Sequence, residues 1–139
     1  MAKIIRTITI NAPVEKVFDY TADSYNLPEF WPSMVEVKDV KKDKSFSWVY
    51  KMAGMRFKGS SEVTESIANE RRVTKSSSGI PNIFVWTYQP EQAGTKLTLE
   101  CEYTVPVPLL GKLAEAFIVK MNEREADTML ANLKARMET

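Results

Sequence analysis

The sequence predicts an α+β fold, in which a curved antiparallel sheet of about seven strands wraps on a long C-terminal helix, with two short helices after the first strand. Three observations carry this. Residues 34–105 read as alternating segments joined by hairpin-length turns. Residues 108–137 form the longest helix-like stretch in the chain. Between the first strand and the alternating run lie two abutting short helical segments, which make an insertion and not a βαβ crossover. One domain over residues 1–139 is expected, because the length suffices for a single core and no linker, repeat or low-complexity tract interrupts it.

The elements follow in order. Lys3 to Ile10 alternates as a first strand, with Arg6 or its neighbours at an edge. Asn11 is placed to cap a helix with Pro13 in its first turn, running to about Tyr20 and burying Val14, Val17 and Phe18. A second short helix around Tyr25 to Phe30 ends before Pro32. Strands are expected at Met34–Lys41, Ser45–Met52, Met55–Ser66, Arg71–Ser77, Ile83–Gln89 and Thr95–Val105. Ala53-Gly54 reads as a hairpin turn and residues 76–82 as the most loop-like segment. Pro106 and Pro108 stop the last strand and admit the final helix.

That helix carries two stripes. Val119, Ala126, Met129, Leu130, Leu133 and Met137 form one, opposite Glu123, Arg124, Glu125, Asp127, Lys134 and Arg136. Leu110, Leu113, Ala114, Phe117 and Met121 form another, roughly 150° away at helical spacing. One straight helix on one sheet cannot bury both, so a break, kink or change of partner is expected near Phe117 to Asn122.

Composition excludes several function classes. The chain is 44% hydrophobic and 27% charged with a net charge of +1, and no basic stripe interleaves with aromatics, so no nucleic-acid partner is expected. Lys38 to Lys44 is broken by Asp39 and Asp43 and reads as a solvated strand end. No stretch is long and apolar enough for a membrane span. A lone Cys101 precludes an internal disulfide and fits a cytoplasmic location. With no histidine, Ser-His-Asp and Cys-His triads and His-ligated metal sites are excluded. No metal, cofactor or catalytic residue is assigned. Any chemistry must use carboxylates, Lys, Arg, Tyr or water.

Alternation assigns Trp48, Tyr50, Met52, Phe57, Trp86, Tyr88, Leu99, Cys101 and Tyr103 to the inward sheet face. Large aromatics with polar tips line apolar ligand pockets, and they also build packed cores; both readings stand on the residues alone. Gly59 and Ser61 share that face, where a bulge is favoured over spare room. Glu100 and Glu102 alternate outward, and Arg56 and Arg72 are taken with them as solvated charge. Cys101, without a base, is expected to act as a small hydrophobe. The disagreeing stripe suggests that Leu109, Leu110, Leu113 and Phe117 line a cavity mouth and Met121 its interior.

Four stretches carry a family resemblance: Ile10-Asn11-Ala12-Pro13 with Val14, Val17 and Phe18; Tyr25 to Pro32 with Val35 and Val37; Gly94 to Leu99; and Pro106 to Gly111 with Leu130, Leu133, Lys134 and Glu138. Together with the element order, they make the whole chain resemble the SRPBCC superfamily, the START-like or helix-grip fold. The nearest branch is the polyketide cyclase/dehydrase and lipid-transport type, beside the coenzyme Q-binding proteins. The resemblance implies a cavity between sheet and long helix that takes varied apolar molecules, and it carries over no universal catalytic residue. The expected function is binding of a small hydrophobic ligand such as a lipid, isoprenoid quinone or polycyclic aromatic. The alternatives are a polyketide cyclase/dehydratase-type enzyme using Tyr or carboxylate acid–base chemistry, and a protein- or ribosome-interaction module. A monomer or weak homodimer is expected.

Overall fold

Seven strands, β1 (Ala2–Ile10), β2 (Met34–Lys41), β3 (Ser45–Met52), β4 (Met55–Ile67), β5 (Arg71–Ser76), β6 (Asn82–Glu91) and β7 (Gly94–Tyr103), form one antiparallel sheet. Their spatial order is β1-β7-β6-β5-β4-β3-β2. The computed structural model describes residues 2–106 and 111–139, with side chains from residue 113 onward in the last helix. Hairpin turns make every neighbour in the run from β2 to β7 consecutive, while β1 and β2 occupy opposite edges.

The chain crosses between those edges through α1 (Val14–Ala22), a 3₁₀ turn (Ser24–Asn26) and α2 (Leu27–Phe30). The residue before α1 is Pro13, in an extended conformation and without a side-chain cap. Asn11 does not cap this helix; its backbone N–H instead donates to Glu138 at 2.7 Å, tying the strand end to the C-terminus. Asp23 caps the 3₁₀ turn by accepting from the Tyr25 N–H.

The turns are local chemistry. Ala53 and Gly54 both take positive φ (52° and 78°), the backbone that a two-residue hairpin turn demands, and Asp43 and Asn69 supply the same φ sign at neighbouring turns. Cross-strand register runs without a shift from Ser45↔Glu62 to Met52↔Met55. The sheet's irregularities lie elsewhere, in β4 between Val63 and Glu65 and along β2. Gly59 is therefore not a bulge, contrary to expectation. A Cβ there would meet the Trp48 ring at 2.4 Å, so the missing side chain makes room for that indole.

The last helix, α3 (Gly111–Met137), is continuous; the expected break near Phe117 to Asn122 is absent. The conflict between stripes is met by a change of partner. Ala126, Met129, Leu130, Leu133 and Met137 are buried against the sheet and α1–α2, whereas Leu113, Phe117 and Met121 face solvent. Ile118, which belongs to neither predicted stripe, is the one buried residue of the first half among the described side chains. Arg6 of β1 pairs with Asp127 at 2.7 Å, and Lys134 donates to the Thr9 carbonyl. On the other side Asn132 donates to the Phe30 carbonyl, and Arg136 reaches Glu29 and the Tyr20 hydroxyl.

Candidate functional site

The curved sheet and α3 do not meet everywhere, and the gap is a cavity of about 90 Å³. A buried water needs on the order of 10–15 Å³ by the same measure, so the space exceeds a single solvent site several-fold. Ladder register explains its wall. Leu99, Trp86 and Arg72 form one row across β7, β6 and β5; Cys101, Phe84 and Thr74 form the next; Tyr103, Asn82 and Ser76 a third. Phe46, Trp48, Tyr50 and Met52 continue the wall on β3. Trp31, at the end of α2, packs edge-on against Tyr50 (ring centroids 5.8 Å) and Phe84 (5.2 Å), spanning the interior from β3 to β6. Asn122, Glu125, Ala126 and Met129 line it from α3, and Thr21, Ser24 and Leu27 from the helical crossing.

Of the predicted lining residues, Trp48, Tyr50, Met52, Trp86, Leu99, Cys101 and Tyr103 border this space together. Phe57 and Tyr88 do not border it. Phe57 is half-buried beside the core, and Tyr88 is buried against Phe18 with its hydroxyl 2.6 Å from Thr21 Oγ1. Leu113, Phe117 and Met121 lie outside it, 90%, 66% and 42% exposed on the outer face of α3. Leu109 and Leu110 fall outside the described residues.

Arg72 was placed by sequence with the solvated charges, and the structure corrects this. It points inward, buried at 4% exposure, and borders the cavity. Its Nη1 donates to Asp43 Oδ1 at 3.2 Å, and among the described residues it makes no other side-chain hydrogen bond. A guanidinium has five N–H donors in a fixed fork, so most of this one's capacity is unused by the protein. Glu125 is a second correction: it sits at the cavity edge instead of on the solvent face, with Oε2 accepting from the Ser33 N–H at 2.6 Å.

The other polar groups are quiet. Burial raises the pKa of Tyr50, Tyr88 and Tyr103, so each is a neutral phenol. Burial likewise pushes the Cys101 thiol up and keeps it protonated, hence a poor nucleophile. Tyr103 Oη accepts from Asn122 Nδ2 at 2.9 Å, and Trp48 Nε1 donates to Ser61 Oγ at 2.9 Å. Asn82 Oδ1 is the one fully buried side-chain acceptor left without a partner among the described residues. The arrangement can hold an apolar body and offer a cationic fork to an acceptor. It holds no activated nucleophile among the described residues.

Sequence reasoning missed Arg72 and Thr74 because β5 buries Arg72, Thr74 and Ser76, a set with no apolar member to mark its inward face, and it missed Glu125 because that residue lies among the charged positions of α3 beside Glu123 and Arg124. A usable signal was the loop at residues 76–82. Centring the hairpin on Gly79 sets residue 72 opposite Trp86, as observed, and so on the aromatic face.

Residues 1–138 match the family model for polyketide cyclase/dehydrase and lipid transport. The chain belongs to this family. A comparison with curated proteins gives no match. Among solved structures the chain is similar to TTHA0849 from Thermus thermophilus, at 20% identity over 98% of this chain and 97% of that one, with a TM-score of 0.85. It is similar to a START superfamily protein from Mycobacterium smegmatis at 14% identity, 98% and 97% coverage and a TM-score of 0.82. It is also similar to the Zhui aromatase/cyclase from Streptomyces sp. R1128, at 16% identity, 99% and 93% coverage and a TM-score of 0.78. At these identities the neighbours establish the helix-grip fold.

Proposed function

We propose that this family member binds a small, largely apolar molecule bearing a hydrogen-bond acceptor, its apolar body against Trp31, Trp48, Phe84, Trp86 and Leu99 and its acceptor on Arg72. The single observation that carries the reading is the buried guanidinium, which borders the cavity with one protein partner among the described residues. Its remaining N–H donors are not sealed off by protein, since none of its nitrogens is among the fully buried unpartnered atoms, and so they are open to an acceptor in the cavity. A carbonyl, phenolate or carboxylate on a lipid, quinone or polycyclic aromatic would be such an acceptor. The family's description, which couples lipid transport with cyclase chemistry, is consistent with such cargo.

A second reading, a cyclase/dehydratase-type enzyme, is favoured by Glu125, the one carboxylate among the described residues that borders the cavity. There Glu125 would serve as base, with the neutral Tyr50 and Tyr103 as hydrogen-bond donors.

The deciding experiment is native mass spectrometry of the freshly purified protein, with organic extraction of what accompanies it. A co-purified apolar molecule with an acceptor group, lost in Arg72→Leu but retained in Glu125→Gln, supports the binder. An aromatic polyketide turned over by wild type and not by Glu125→Gln supports the enzyme. An extracted ligand with no acceptor, or one indifferent to Arg72→Leu, would overturn the assignment to Arg72.

A further inference from the structure

The first half of α3 exposes three large apolar side chains on one line: Leu113 at 90%, Phe117 at 66% and Met121 at 42%. Lys120 and Arg124 are exposed and fall in the same sector, all five within roughly 100° of the helix circumference. Among the described residues, neither cation is in an ion pair; the nearby acidic residues Glu123 and Asp127 are engaged with Arg6 of β1.

The position of this stripe in the fold adds to it. Asn122 bonds Tyr103, the last residue of β7, so residues 113–121 run on past that end of β7 by about 13 Å, alongside the part of the β3–β4 hairpin that also extends beyond it. The turn between β3 and β4 lies at the same end, because β3 and β7 run in the same direction. Met55 projects from that turn at 51% exposure, flanked by exposed Lys51, Arg56 and Lys58, none of them in an ion pair among the described residues.

We propose that this end of the molecule, the first half of α3 with the β3–β4 turn, docks on an anionic lipid surface. Two separate convex elements carry apolar tips and cationic flanks to one end. That matches a flat interface with an apolar interior and negative headgroups. A symmetric pair of these chains meeting through the stripe would gather two copies each of Lys120 and Arg124, four like charges, into one interface, which disfavours self-association there. The proposal does not depend on what occupies the cavity.

The test is flotation of the full chain with phosphatidylcholine vesicles, with and without phosphatidylglycerol. Binding is expected only with phosphatidylglycerol, weakening as salt rises. Leu113→Gln with Phe117→Gln should weaken it by about tenfold or more, since both apolar anchors are lost. Lys120→Glu with Arg124→Glu should weaken it by a similar factor. All four residues are exposed, so the variants should keep the wild-type circular dichroism spectrum and thermal midpoint. Equal binding to both vesicle types, or binding that ignores both double variants, would overturn the proposal. So would self-association in sedimentation velocity that depends on Leu113 and Phe117 without vesicle binding. Binding to polyglutamate but not to vesicles would overturn it too, assigning the face to an acidic protein instead.

Discussion

Arg72 Nη1 lies 3.2 Å from Asp43 Oδ1, joining a guanidinium buried on β5 to a carboxylate that is 54% exposed on the β2–β3 turn. The two ends of this pair are solvated very differently. Removing Asp43 takes away the one protein acceptor of a largely buried guanidinium among the described residues, whereas removing Arg72 leaves a carboxylate that water can reach. Asp43→Ala should therefore destabilise by about 1–3 kcal/mol. Arg72→Met should cost less, and it replaces the charge by apolar contact. Urea midpoints of the two variants check the order, and a larger loss for Arg72→Met would show that the guanidinium is stabilised by more than Asp43.

Trp48 gives a second prediction. Its indole occupies the space that a side chain at position 59 would take, and Ser78 O lies 2.7 Å from the same point. Gly59→Ala must push the ring or the loop backbone, at a cost of about 1–3 kcal/mol typical of overpacking. Trp48→Leu should relieve part of that cost. Equilibrium unfolding of the double-mutant cycle measures the coupling, and additive effects would mean the clash is with the Ser78 backbone alone.

These two sites mark what was legible in the sequence. The strands of the 34–105 run were readable because Phe46, Trp48, Trp86, Leu97 and Leu99 keep strict period-two alternation, and a ladder propagates register from each strand to the next. Much of the cavity wall followed from them. Arg72 did not, since the buried face of β5 is Arg-Thr-Ser and alternation of polar with polar has no sign. Phe84 shares the face of Trp86 and Tyr88 by simple alternation, but Trp31 escaped as a lining residue for another reason. Trp31 closes a four-residue helix, and its contact with Phe84 joins positions more than fifty residues apart that no local pattern links. In α3 the two stripes were visible, but only tertiary structure shows that Leu113, Phe117 and Met121 of the first are left facing solvent.

That division of α3 is itself testable by stability. Leu113→Gln and Phe117→Gln alter solvated positions and should move the unfolding free energy by no more than about 0.5 kcal/mol. Ile118→Ala and Met129→Ala empty buried sites, 4% and 1% exposed, and should cost about 2–5 kcal/mol. Guanidinium unfolding of the four variants distinguishes the faces. A large loss at Phe117 would show that its ring is covered in solution.

Alkaline pH probes the buried hydroxyls and thiol together. Burial raises Tyr50 and Tyr88 above the ordinary 10.0 and Cys101 above 9.0, and burial with the neighbouring Glu29 carboxylate pushes Tyr20 up to about 12. A raised folded-state pKa means that the protonated form is the one the fold prefers. The stabilisation is complete below the unfolded-state values and is lost as pH climbs through the folded-state ones. Stability should thus hold level up to about pH 9 and decline steadily toward pH 12. Tyrosinate absorbance from these buried phenols should appear with unfolding and not before it. Tyr88→Phe, which cannot ionise, should flatten the decline while losing the hydrogen bond to Thr21, at a cost of about 1 kcal/mol at neutral pH. A spectrophotometric titration run beside urea midpoints over this range checks both. Reversible phenolate formation by all tyrosines in the folded protein would show that water reaches Tyr50 and Tyr88 through the cavity.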